Sequence, residues 1–125
     1  MRILVVEDVP SISRLIEKCL NDAGYEVLTA GNGQVALEVV AAAVAAAEPL
    51  DLILMDVMMP QMDGLSALHR LKHDEKTAGI PVVMLTASSE PDDIVQSLQA
   101  GADLHLTKPF ACAELIAIIQ RIYPS

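Results

Sequence analysis

The stretch Leu52-Ile53-Leu54-Met55-Asp56-Val57-Met58-Met59-Pro60 decides the fold. Four consecutive apolar residues without alternation describe a strand buried on both faces, as in a parallel sheet covered by helices on either side. The run stops at a carboxylate, Asp56, and Pro60 and Gly64 then bracket a loop. Such a strand needs neighbours of the same kind.

The rest of the chain supplies them. Upstream, Ile3-Leu4-Val5-Val6 is a second unbroken apolar run, and it ends in Glu7-Asp8. Ile12, Leu15, Ile16, Cys19 and Leu20 follow at helical spacing, with Pro10 suited to the first turn and Gly24 to the end. Tyr25 to Thr29 reads as a short strand, Gly31-Asn32-Gly33 as a turn, and Gln34 to Ala47 as an alanine-rich helix. Downstream of Asp56, Leu65 to Lys72 is a third helix, and Pro81 opens the strand Val82-Val83-Met84-Leu85, which ends at Thr86. Pro91 to Ala100 forms a fourth helix stopped by Gly101. Leu104 to Leu106 is a fifth strand running into Lys108-Pro109, and Ala113 to Ile122 is a last helix with Leu115, Ile118, Ile119 and Ile122 on one face. Five strand–helix repeats with short links imply one α/β domain over residues 1–125, with a parallel sheet and helices on both sides.

Composition narrows the function. The 125 residues carry 8 basic and 17 acidic side chains, a formal net charge of −9. A polyanion is held mainly by clustered Lys and Arg, and no cluster exists, so neither direct nucleic-acid binding nor attraction to an anionic membrane is expected. The core must be aliphatic, because there are two Tyr, one Phe and no Trp. The apolar run after Met1 is too short for a signal peptide or a membrane span, which makes the cytoplasm the expected location. Cys19 and Cys112 both fall inside apolar helical patterns and read as two reduced core thiols.

In an open parallel sheet, ligands bind beyond the carboxyl ends of the strands. Glu7 and Asp8 close strand one, Asp56 strand three and Thr86 strand four, and strand five runs into Lys108. Three carboxylates brought together repel one another, and a hard divalent cation with oxygen ligands relieves that repulsion. A carboxylate beside such a cation can act as nucleophile toward phosphorus and yield an aspartyl phosphate. A hydroxyl and an ammonium, Thr86 and Lys108, would hold the other phosphoryl oxygens.

The segments Val5-Val6-Glu7-Asp8, Leu52 to Pro60, Met62-Asp63-Gly64, Pro81 to Ala87 and Leu106-Thr107-Lys108-Pro109-Phe110 resemble, in order and over essentially the whole chain, the receiver domain of bacterial two-component response regulators. The resemblance implies a flavodoxin-like (βα)5 three-layer sandwich with strand order 2-1-3-4-5. It implies Mg²⁺ as cofactor, with Mn²⁺ or Ca²⁺ as substitutes, held by Asp8, Asp56 and the backbone carbonyl of Met58, with Glu7 acting through metal-bound water. Asp56 becomes the phosphoacceptor, Thr86 the switch hydroxyl and Lys108 the phosphoryl partner, with a cis Lys108-Pro109 peptide; Ala87 leaves access to the acyl phosphate. The implied donors are a histidine kinase or a histidine phosphotransfer protein. The implied output is a downstream protein or a homodimer through the fourth helix, fifth strand and fifth helix, and the domain catalyses only its own phosphorylation and dephosphorylation.

Some positions depart from the pattern. His105 stands three residues before Lys108, at the switch position where the family usually carries Tyr or Phe, and reads either as part of a modified, pH-sensitive switch or as a surface residue beside a switch that works without a large aromatic. Met58 and Ser88 are poor at positioning an attacking water, so a phosphorylated state lasting minutes or longer is expected. Gln34 to Ala47 is a few residues longer than usual. Val95 and Ile116 read as exposed apolar positions on the output face, and His69 and His73 as a solvated helix face. A haloacid-dehalogenase-like phosphohydrolase also uses an aspartate and Mg²⁺, but it needs an acid where Met58 stands. A nucleotide-binding domain needs a glycine-rich loop where Glu7-Asp8-Val9-Pro10 stands. A receiver-like module that only binds would normally have lost one of the acids.

Overall fold

The computed structural model describes residues 1–57, 64–86, 95–96 and 98–124. Strands β1 (Arg2–Val6), β2 (Glu26–Ala30), β3 (Leu52–Asp56), β4 (Val82–Thr86) and β5 (Leu104–Thr107) form one sheet, with helices α1 (Pro10–Asp22), α2 (Gly33–Ala45), α3 (Gly64–Lys72) and α4 (Cys112–Ile122). All pairings are parallel, in the order β2-β1-β3-β4-β5. The fold is therefore the expected α/β sandwich. Residues 95, 96, 98 and 99 are helical and Ala100 is in a turn; the rest of the anticipated fourth helix, like Met58 and Ala87–Ser88, lies outside the described residues.

The unbroken apolar runs are explained by two cores, one on each face of the sheet. Leu4, Val6, Ile53, Met55, Val82 and Met84 point to one side, where Ala36, Val40, Leu68 and Leu71 of α2 and α3 cover them. Ile3, Val5, Leu52, Leu54, Val83 and Leu85 point to the other, covered by Ile16, Leu20, Leu115 and Ile119 of α1 and α4. Successive side chains of a strand alternate faces, so a strand with both faces covered must be apolar throughout. No helix among the described residues is long and apolar enough to cross a membrane.

Several boundaries have local causes. Pro10 opens α1, and Gly24 follows it at φ 94°, where a side chain would be strained. Asn32 caps α2, its side-chain oxygen accepting from the Val35 N–H at 2.9 Å. The expected α2 ran to Ala47, but the helix ends at Ala45 because Ala47 adopts φ 57°, which breaks the helical turn. At the amino edge of the sheet, Asp51 joins the two chain ends: its carboxylate accepts from the Arg2 N–H at 2.7 Å and its carbonyl from the Tyr123 hydroxyl at 2.7 Å.

Other expectations need correction. Cys19 and Cys112 are not two reduced core thiols: they form a disulfide, with Cα atoms 5.9 Å apart, and Cys112 is exposed. The helical pattern around each cysteine was right, but it says nothing about which two helices share a face of the sheet. Leu15, expected on the buried face of α1, is 67% exposed. Ile116, read as exposed, is partly buried against the α1–α4 core, whereas Val95 is exposed.

Candidate functional site

The carboxyl edge of the sheet gathers the acids. Glu7 follows β1 directly and is held in line by its N–H, which donates to the Ala30 carbonyl at 3.0 Å. Asp56 is the last residue of β3, the middle strand, and the Val57 N–H donates to the Leu85 carbonyl at 3.0 Å just beyond it. Glu7 and Asp56 are buried and Asp8 is partly exposed. Each of the three offers a carboxylate oxygen, and these oxygens lie within 4.8 Å of one another.

Lys108 reaches into this cluster from the loop after β5. Its ammonium donates to Asp56 Oδ2 at 2.9 Å and to both Glu7 oxygens at 3.2 Å. The Lys108 N–H donates to the Thr86 carbonyl at 2.7 Å, which ties the lysine's backbone to the end of β4, and the Lys108-Pro109 peptide is cis. Thr86 is itself buried. All five residues expected at the strand ends thus sit at one edge, and Glu7, Asp56 and Lys108 are in direct contact.

The electrostatics follow from this crowding. Burial pushes the Glu7 carboxyl up to about 7, the Asp56 carboxylate adds to the rise, and Lys108 opposes it. For Lys108, burial works against the charged form, yet the Asp56 and Glu7 carboxylates outweigh it and hold the ammonium above its ordinary value. One lysine facing three acids leaves the edge rich in negative charge and hard oxygen donors, the donor set that suits a small divalent cation.

One supporting residue, Gly64, was quoted from the sequence without a role at the site. A Cβ on Gly64, the first residue of α3, would overlap the Asp56 carbonyl oxygen and lie 3.0 Å from the Met84 methyl. The Gly64 N–H also donates to the Val57 carbonyl at 2.9 Å. The glycine lets α3 start against the backbone of the acidic residue; in the sequence it stood only as the end of a loop and of the Met62-Asp63-Gly64 segment. His105 sits on edge strand β5 beside Met84 and is half-buried, so it is less exposed than a surface residue. The Met58 carbonyl, expected as a metal ligand, lies outside the described residues.

The family model described as the response regulator receiver domain matches residues 3–120. The chain belongs to the response regulator receiver domain family. The DNA-binding dual master transcriptional regulator RpaA of Synechocystis is 41% identical over 97% of this chain and 48% of its own length. Chemotaxis protein CheY4 of Vibrio cholerae superposes with a TM-score of 0.86 at 33% identity, covering 97% of each chain. The phosphorylated cyanobacterial phytochrome response regulator RcpA superposes with a TM-score of 0.82 at 33% identity, covering 97% of this chain and 89% of that one. The receiver domain described here spans about half the length of the first curated relatives it matches. Membership in this family of two-component response regulators implies phosphoryl acceptance. The expectation of no nucleic-acid partner finds no support among the relatives, since RpaA is a DNA-binding regulator.

Proposed function

We propose that this receiver domain takes a phosphoryl group onto Asp56 from a phosphohistidine of a histidine kinase or a histidine phosphotransfer protein, and that the reaction depends on Mg²⁺. The observation that carries the reading is the position of Asp56. It closes the middle strand, is buried, shares a cluster with Glu7 and Asp8, and contacts the Lys108 ammonium at 2.9 Å.

In the transfer, an Asp56 carboxylate oxygen forms the new P–O bond as the donor's P–N bond breaks, and the departing imidazole takes up a proton. Asp8 and Asp56 would supply oxygen donors for Mg²⁺, with Glu7 acting through metal-bound water, and the bound cation would offset charge on the phosphoryl oxygens. Lys108 already neutralises Asp56, and its three ammonium protons suit a phosphoryl oxygen equally well. Thr86, on the adjacent strand end, is the hydroxyl within the same edge, and the Lys108 N–H bond to its carbonyl couples the two. A shift of Thr86 and Lys108 toward the phosphoryl group is then passed to β5 and α4, the surface through which a protein target or a second copy would be engaged. In this reading the domain acts chemically only on itself, in the cytoplasm.

The test is phosphotransfer. The protein is incubated with a phosphohistidine donor, or with acetyl phosphate, in the presence of Mg²⁺, and one phosphoryl group per chain is expected by intact mass. Chelation of the metal or Asp56→Asn should abolish uptake. Incorporation that survives Asp56→Asn would overturn the assignment.

A further inference from the structure

The Cys19–Cys112 pair lies outside the phosphoryl chemistry and has the anatomy of a reactive pair. Its two sulfurs sit in unlike surroundings. Cys19 is in the last half of α1 and is buried, with 8% exposure. Cys112 is exposed and is the first residue of α4, an eleven-residue helix. An open groove of about 610 Å³ runs beside both cysteines, walled mainly by apolar side chains such as Ile12, Leu15 and Phe110, while its two lysines, Lys18 and Lys108, are paired with Asp22 and with Glu7 and Asp56. The groove is wide enough for a small thiol to approach the exposed residue. The backbone geometry favours closure, since the Cα atoms are 5.9 Å apart, inside the range a disulfide needs.

We propose that Cys19 and Cys112 form a reversible dithiol–disulfide site, opened and closed by exchange with a thiol of the glutathione class, and that it clasps or frees the start of α4. In reduction, an external thiolate attacks the accessible Cys112 sulfur and breaks the Cys19–Cys112 bond. Cys19 leaves as thiolate and takes a proton. A second external thiolate then attacks the mixed disulfide, releasing Cys112 and an oxidised dimer of the external thiol. Two electrons enter the protein pair and two external thiols are oxidised; closure is the same sequence reversed, with the oxidised dimer as acceptor. The reach of this switch is set by the chain. Only Pro109, Phe110 and Ala111 separate Lys108 from Cys112, so the clasp fixes the far end of the segment that carries the lysine.

The full chain is equilibrated across graded ratios of reduced to oxidised glutathione and quenched in acid. Thiols are then tagged with a maleimide and counted by intact mass. One reversible transition between no free thiols and two is expected within that range. Two free thiols at the most oxidising ratio, or none at the most reducing one, would overturn the proposal. In the single variants, Cys112 of Cys19→Ser should form the glutathione mixed disulfide at least about tenfold faster than Cys19 of Cys112→Ser. Equal rates would remove the assigned roles, and the wild-type titration stands alone if either variant fails to fold. Hydrogen exchange of the amides of residues 110–115 should be at least about fivefold faster in the reduced protein. Unchanged exchange there would show that the bond clasps nothing.

Discussion

At the residue scale, Gly64 and Glu7 set the tightest constraints. A methyl group on Gly64 would overlap the Asp56 carbonyl, and the obstacle is backbone of the middle strand, which cannot rotate aside. Gly64→Ala is therefore expected to cost about 2–3 kcal/mol, read as a lower urea midpoint; an unchanged midpoint would show that α3 can shift outward. Glu7 carries a pH signature. Its carboxyl is raised from 4.5 to about 7 by burial first and the Asp56 carboxylate second, so the folded state binds this proton more tightly than the unfolded chain. Between those values the folded form holds more protons, and stability must fall as pH rises. The contribution of Glu7 is thus fully present below about 4.5 and lost as pH passes through about 7. The same proton competes with a cation for the carboxylate. Mg²⁺ affinity should rise with pH and level off above about 7, with proton release on the acid side. Calorimetry in buffers of different ionisation enthalpy measures that release; its absence would mean that Glu7 takes no part in holding the metal.

At the scale of elements, α2 ends in an unusual way. Ala47 holds φ 57° in the left-handed region, a conformation that costs a residue with a Cβ roughly 1 kcal/mol. Ala47→Gly is expected to stabilise the domain by about 0.5 kcal/mol, the relief of strain exceeding the added freedom of the unfolded chain, and to raise the urea midpoint without changing the slope. A lower midpoint would contradict it. The same residue shows where the sequence was hard to read. Strands β1, β3 and β4 were legible because each is an unbroken apolar run closed by a polar residue, and that pattern also exposed Glu7, Asp8, Asp56 and Thr86 as a set. The end of α2 was not legible, since Ala45, Ala46 and Ala47 look alike and only backbone geometry tells them apart. Leu15 was misplaced because helical spacing defines a stripe but not its width, and α4 covers less of α1 than the apolar pattern allows. The pairing of Cys19 with Cys112 depends on residues 93 apart in sequence, which no local pattern encodes, and the close approach of Gly64 depends on how the chain after Asp56 turns back on it.

For the whole molecule, the disulfide is the longest-range covalent constraint among the described residues, joining positions 93 apart. Closing a loop of that length removes chain entropy from the unfolded state worth on the order of 4–5 kcal/mol. With an unfolding entropy typical for a domain of this size, full reduction should lower Tm by roughly 15 °C, measured by scanning calorimetry with and without reductant. A drop of only a few degrees would mean that the reduced chain is already confined by its two cores. The meeting of both chain ends at Asp51 has a practical consequence of a different kind. Arg2 and Tyr123 are fastened to the amino edge of the sheet, while the acids lie at the carboxyl edge. Five residues of strand, about 16 Å, separate the two edges. A fluorophore or a surface tether attached beside Arg2 or Tyr123 would stand behind the sheet, leaving the acidic edge open to an incoming donor.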